Sequence, residues 1–348
     1  MNIPQPVELI GSPGSPYTRK MVSLLRYRRI PHQTVWADPA TELKRRGIEV
    51  PRLVFLPTFI YSDDAGNAVP RSDSTPIIRE LEHAFPGRSV LPVDPALAFI
   101  DYLLEDFADE WCTKYMFHYR WHFAADADNA GSLLPTYMNL TLPDEDWKQL
   151  KTLFSERQVG RLRYVGSNDD TAPVIDASYR RLLRALEQHF SQLPFLLGRR
   201  PGAGDFALFG QLSQLVGFDP TPRAIAHKLS NRTVGWTGLM EDLSGLECGD
   251  ADWEELATLP DTLKGILSEV GRVYVPALLA NAKAVQAGEK HWQAPIDGCD
   301  WNQQAFPYQA KCLGWINDEY NSLSEPDRDR VNGLLAGTGC EKLLLPRD

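Results

Sequence analysis

The chain has 348 residues, 43% of them hydrophobic and 24% charged, and carries a formal net charge of −10. At roughly 100–200 residues per domain, that length predicts about two domains with substantial cores. The negative balance argues against nucleic acid or an anionic membrane surface as a partner, since either attracts a basic face and no basic stripe is present.

The first residues, Met1-Asn2-Ile3-Pro4-Gln5-Pro6, lack the charged and apolar regions of a signal peptide, and no apolar run reaches membrane-spanning length. A cytoplasmic location is expected. The five cysteines (Cys112, Cys248, Cys299, Cys312, Cys340) are odd in number and scattered, with no Cys-x-x-Cys pair. Reduced thiols fit that pattern better than a disulfide framework or a zinc site.

In chain order, a short apolar strand, Val7 to Ile10, runs into Gly11-Ser12-Pro13-Gly14-Ser15, and a helix follows with Tyr17, Met21, Leu24 and Leu25 at helical spacing. Ser15 suits the N-cap and Pro16 the first helical position, where its missing N–H has no intrahelical partner to lose. Such a helix start gathers unpaired N–H groups and partial positive charge, which stabilise an anion or a thiolate. Gln33 to Trp36 is expected as a second strand parallel to the first, because a helical crossover separates them.

Pro39 to Arg46 reads as a short helix and Leu53 to Tyr61 as a strand, with Ala68-Val69 returning after turn residues Asp63 to Asn67. Pro57 sits awkwardly inside that strand, and a cis Leu56–Pro57 bond accounts for it. Ser72 to Pro76 opens a helix with Ile77, Ile78, Leu81 and Phe85 on its apolar side.

Three of these stretches together, Ser15-Pro-Tyr-Thr-Arg-Lys20, Leu56-Pro-Thr-Phe59 and Asp73-Ser-Thr-Pro-Ile77, resemble the glutathione-binding half of cytosolic glutathione S-transferases of the serine-type, bacterial-like kind. The resemblance implies an α/β thioredoxin-like domain (1–88), a linker (89–95) and an all-helical domain (96–348) enlarged by a C-terminal extension. It implies glutathione as cosubstrate, with the Ser15 hydroxyl donating to the glutathione sulfur. Ser12 and Thr18 are alternative donors; a tyrosine such as Tyr17 serves in some classes. By the same resemblance, Leu56 pairs through its backbone with the cysteinyl part, helped by cis Pro57. Asp73 takes the γ-glutamyl ammonium and Ser74 the carboxylate. Serine in place of cysteine at position 15 favours conjugation, addition or thiolysis of a small apolar electrophile over glutathionyl exchange. A homodimer is expected, as is usual in the family.

Helices are expected from Pro95 to Trp111, from Asp144 to about Arg163 and from Pro173 to Phe190, with no strand among them. Phe195 to Gly198 and Pro201 to Ala207 resemble the family's helical-domain signature, except that Gly202 replaces the usual Ser or Thr. Only Asp205 is left to supply a side chain to that capping box, a structural role. Ala124 to Pro143 and the tail 289–348 read as additions. In the tail, Gly298 to Trp301 reads as a loop and Phe306 to Leu323 and Asp327 to Leu335 as helices, the whole either covering the substrate cleft or extending the dimer interface.

On one helical face Trp111, Tyr115, His118 and His122 recur together. By resemblance the first three, with Tyr17, line an electrophile pocket; as plain periodicity they form an aromatic core seam. His118 and His122 lack a third ligand or an HExxH pattern, so no metal is expected. Glu105-Asp106 and Asp109-Glu110 read as solvated helix faces, or at most interdomain salt bridges. The chain lacks both a P-loop and a Gly-x-Ser-x-Gly elbow. The function expected is glutathione transfer; the alternative is a non-catalytic binding or regulatory module on the same fold.

Overall fold

The computed structural model describes residues 2–344. The first unit runs β1 (Val7–Gly11), α1 (Pro16–Tyr27), β2 (His32–Trp36), α2 (Pro39–Arg45), β3 (Thr58–Ser62), β4 (Ala68–Arg71) and α3 (Ser74–Ala84). Its sheet has the order β2-β1-β3-β4, with β1 parallel to β2 and antiparallel to β3, and β4 antiparallel to β3. This is the thioredoxin-like arrangement. The third strand starts only at Thr58, five residues later than its apolar pattern predicts. Pro57 cannot donate to a ladder, the Leu56–Pro57 bond is cis, and the Thr58 hydroxyl closes a turn onto the Phe55 carbonyl at 2.7 Å.

Helices α4 (Pro95–Glu110), α5 (Cys112–His122), α6 (Ala124–Met138), α7 (Asp144–Val159) and α8 (Ala172–His189) follow, then α9 (Ala203–Leu215), α10 (Pro220–Leu229) and α11 (Asn231–Met240). After a long irregular stretch come α12 (Thr262–Glu269), a π-helical turn (Val270–Tyr274) and α13 (Val275–Gln286). The tail holds a hairpin of β5 (His291–Ile296) and β6 (Cys299–Gln304), then α14 (Pro307–Ser322) and α15 (Glu325–Leu335). No helix among the described residues is long and apolar enough to cross a membrane.

The hairpin corrects the expected loop at Gly298 to Trp301. Asp297 and Gly298 both have positive φ, 49° and 82°, as a two-residue turn joining twisted strands requires. Trp292, Ile296, Trp301 and Gln303 point inward between exposed polar residues. Trp301 packs on Trp111 with ring centroids 5.5 Å apart, and Gln303 accepts from the buried Lys114 ammonium at 2.9 Å.

All of α9 is buried, packed between α1 and α4. A Cβ on Gly210 would fall 2.5 Å from the Pro16 carbonyl oxygen, so glycine there lets α9 touch the start of α1. Gly202 has a related reason. The Asp101 carboxylate of α4 accepts from the Ala203 and Gly204 N–H groups at 3.1 and 3.0 Å, supplying from another helix the cap that residue 202 lacks. A Cβ on Gly202 would lie 2.3 Å from Asp101 Oδ1, so serine and Asp101 exclude each other. Asp205 keeps its expected structural role, accepting from Gly202 N and Leu196 N at 2.9 and 3.0 Å, with burial holding its pKa up at about 7.

These contacts predict non-additive mutants. Asp101→Ala leaves the buried Gly204 N–H unpaired, while the Ala203 N–H keeps the Val90 carbonyl at 2.9 Å, and costs about 2 kcal/mol. Gly202→Ser is destabilising alone but recovers about 1 kcal/mol when added to Asp101→Ala, because a serine cap then fits. Urea midpoints of the four proteins check the cycle.

Candidate functional site

The sheet register brings the three sequence motifs to one edge. Ile10 pairs with Thr58, so the Gly11–Ser15 loop leaves β1 beside Pro57. Phe59 pairs with Arg71, so Asp73 and Ser74 emerge from β4 at the level of Leu56 and Pro57. Asp73 caps α3 with a φ of 87°, strained for a residue with a side chain, and Ser74 is the first helical residue.

Ser15 is the N-cap of α1, and its oxygen accepts from Thr18 N at 3.2 Å while its own proton is free to donate. Of the alternative hydroxyls, Thr18 is wholly buried and its oxygen accepts from Ser12 N at 3.3 Å; Ser12 is buried beside it. The loop is braced from the helical domain. Arg120 donates to the Gly14 carbonyl at 2.8 Å and Gln214 to the Pro13 carbonyl at 3.2 Å. Arg120 is held in turn by a fork onto Asp219 at 3.0 and 3.1 Å and by Gln214 Oε1 at 2.8 Å. Neither charge of this pair meets water to any extent.

Beneath Ser74 lies the fully buried Lys20, whose ammonium donates to Ser74 Oγ at 3.0 Å, Glu105 Oε1 at 2.9 Å and Asp109 Oδ2 at 2.6 Å. Burial works against that charge, but Asp109 and Glu105 outweigh it and its pKa stands above the ordinary value. Arg79 of α3 takes the other oxygen of Glu105 at 2.5 Å. For Glu105 and Asp109 the expected alternative, an interdomain salt bridge, is the one present, and the solvated face is what is corrected. Helical periodicity turns Asp101, Glu105 and Asp109 to one buried stripe facing α1, α3 and α9. Asp106 and Glu110 form a second stripe facing the tail, where Tyr274 donates to Asp106 and Gln309 to Glu110, the latter at 3.2 Å. Burial, helped by neighbouring carboxylates, raises Asp106 to about 7 and Glu110 to about 8.

The tail reaches the site itself: the Tyr308 hydroxyl donates to Asp73 Oδ2 at 2.9 Å.

Tyr17 is half-buried with its hydroxyl on the Asp109 carbonyl at 2.8 Å; burial, then Glu110 and Asp109, push its pKa well up and keep it protonated. Trp111, Tyr115 and His118 are fully buried. Trp111 donates to Tyr115 at 3.0 Å, Tyr115 shares a bond with Ser178 at 2.7 Å, and His118 pairs with Ser167 at 2.7 Å and stacks on His122 at 4.6 Å. These three make an aromatic seam inside the helical domain and line no open cleft, because α8 and the β5–β6 hairpin cover the face that a pocket would need. Among the described residues no three His, Cys, Asp or Glu side chains gather as a metal site.

The family model for the glutathione S-transferase N-terminal domain matches residues 9–89, and that for the glutathione S-transferase C-terminal domain matches residues 169–246. The chain belongs to the glutathione S-transferase superfamily. No curated protein matches it in sequence. Among solved structures it is similar to a glutathione S-transferase from Rhodospirillum rubrum F11, at 17% identity over 72% of this chain and 96% of that one, with a TM-score of 0.39. Beta-etherase LigF from Sphingobium sp. strain SYK-6 is 19% identical over 70% and 96%, with a TM-score of 0.37. The Tau class glutathione S-transferase MiGSTU from mango, Mangifera indica L., is 17% identical over 75% and 95%, also at 0.37. The stretch between the two matched domains contains α4, α5 and the two carboxylates that hold Lys20, and the residues past 246 contain Tyr308.

The acid stripes and the brace give two expectations. Glu110, Asp106 and Asp205 hold protons in the folded chain that the unfolded chain releases above its ordinary carboxylate range, so stability falls as pH rises through their folded values of about 8, 7 and 7. His118, held down to about 4 by burial and His122, works oppositely but only below the ordinary histidine range. From pH 6.5 to 8 the three carboxyls together lose about 3 kcal/mol, of which Lys114, lowered to about 8 by burial, returns a small part, and Glu110→Gln removes roughly half of the loss in calorimetric melts across that range. Arg120→Met strands Asp219 in the interior and costs about 3 kcal/mol, part of which Asp219→Asn returns, as denaturant midpoints will show.

Proposed function

We propose that the protein is a glutathione transferase in which Ser15 stabilises the thiolate of bound glutathione for attack on a small, apolar electrophile. The observation that carries the reading is the convergence of Ser15, cis Leu56–Pro57 and the Asp73-Ser74 helix start at one sheet edge. In this reading Leu56 offers its backbone N–H and C=O to the cysteinyl residue, which lies along it as an added strand. Asp73 receives the γ-glutamyl ammonium, and Ser74 and the N-terminal N–H groups of α3 receive its carboxylate. The sulfur then lies at the start of α1.

There the Ser15 hydroxyl donates to the sulfur and the partial positive charge of the helix start favours the thiolate. The nucleophile belongs to the cosubstrate, so the protein's part is to lower the thiol pKa and hold the sulfur for in-line attack. Tyr17, protonated and half-buried in the first turn of α1, borders the electrophile's approach. The same reading carries a cytoplasmic homodimer, as is usual in the family, with no metal and no nucleic acid involved.

Ser15→Ala is the direct test. Titrated glutathione should still bind, but the ultraviolet absorbance of the bound thiolate at pH 7 should vanish as the thiol returns toward its free pKa of about 8.5. Turnover of an activated aryl chloride should fall about a hundredfold, the usual cost of one donor to a developing or stabilised anion. No glutathione binding by the folded wild-type protein at millimolar concentration would instead favour the non-catalytic module.

A further inference from the structure

Two features of the tail bear on the glutathione site. The first is that α14 is rigidly mounted. Asn281 of α13 closes a bidentate pair on Phe306, donating to its carbonyl at 2.9 Å and accepting its N–H at 2.7 Å, which fixes the chain one residue before the helix starts. Cys312, Leu313, Ile316 and Tyr320 then bury one face of α14 against α4 and α13. The second is that the first turn of this helix places two polar side chains against carboxylates: Tyr308 on Asp73 at 2.9 Å and Gln309 on Glu110 at 3.2 Å.

Building on the glutathione reading, we propose that Tyr308 is a positioning residue that completes the subsite for the cosubstrate's free amino group by orienting the Asp73 carboxylate. An ionised carboxylate offers about four acceptor positions, and the Tyr308 hydroxyl fills only one of them. The bond fixes the plane of the carboxylate and leaves its other positions for the ammonium of a γ-glutamyl group. A hydrogen bond to the charged form also opposes the effect of burial, which lifts the Asp73 pKa. The need for such support follows from Asp73 itself, whose backbone is strained and whose burial disfavours the charged carboxylate. The hydroxyl comes from 235 residues along the chain, so the tail is part of the binding site.

The test compares two ligands on two full-length proteins. The ligands are glutathione and its analogue with a glutaryl group in place of the γ-glutamyl group, which lacks only the amine. The proteins are the wild type and Tyr308→Phe, which keeps the ring and removes the donor. Calorimetric titration should show Tyr308→Phe weakening glutathione about fivefold to tenfold while leaving the glutaryl analogue's affinity unchanged, the size expected for one hydrogen bond to a charged group at a half-exposed position. Catalytic turnover at saturating glutathione should stay within about twofold, since the sulfur is not touched. Equal weakening of both ligands, or no weakening of either, would overturn the role given to Tyr308 while leaving the glutathione reading intact. A folded wild type that binds neither ligand would overturn both.

Discussion

A primary ammonium sealed away from water must be fully surrounded by acceptors, and Lys20 meets that demand by drawing on three helices. Its own helix, α1, brings it in; α4 supplies Glu105 and Asp109; α3 supplies Ser74. Removing either carboxylate leaves an unbalanced charge in a low-dielectric interior, which costs more than the pair contributes when intact. The relative placement of the two domains is therefore tied to the satisfaction of one cation. Because α1 also carries Ser15 at its tip and α3 carries Asp73 at its cap, that placement decides where the anion-binding ends of both helices meet.

Helix α4 is the element on which these demands accumulate. Five of its residues are acidic, and their spacing divides them into one stripe toward α1, α3 and α9 and another toward the tail. In the first stripe Lys20 and Arg79 hold Glu105 down to about 2 despite burial, while Asp109 is raised to about 6 and Asp101, bonded by the N–H groups of α9, well above its ordinary value, both chiefly by burial. The second has no cation within a hydrogen bond and is accommodated by raised pKa values and by donors from Tyr274 and Gln309. One helix thus shows both ways that a protein can bury carboxylates, by pairing and by protonation.

The parts of this molecule that were legible in its sequence are those whose causes are local. A serine cap followed by proline, a proline misplaced in an apolar run and a helix opened by Asp73-Ser74 each depend on a few adjacent residues, and the sheet register then brings them together. The acidic stripe of α4 was not legible, because its partners lie 85 and 89 residues away and nothing near Glu105 or Asp109 signals burial. Gly202 looked like a defect in a capping box until Asp101, bonded to Ala203 across 102 residues of chain, proved to occupy the position. The face shared by Trp111, Tyr115 and His118 was correct in direction, but periodicity states which residues face together and not what they face. The β5–β6 hairpin did leave a signal, the Asp297-Gly298 pair, which the sparse apolar residues around it masked.

The tail's contacts carry a consequence for how the chain is assembled. Tyr308 reaches Asp73 across 235 residues, Arg330 reaches Asp94 across 236, and Gln303 reaches Lys114 across 189. A helical protein usually closes through neighbours in sequence and folds quickly, whereas these closures must wait for distant segments to find one another. During synthesis α4 is made roughly two hundred residues before α14, and its second acidic stripe stays uncovered throughout that interval. Its carboxylates keep the waiting surface hydrated and self-repelling, so the groups that are hardest to accommodate in the finished interior are also those that keep the unfinished chain soluble.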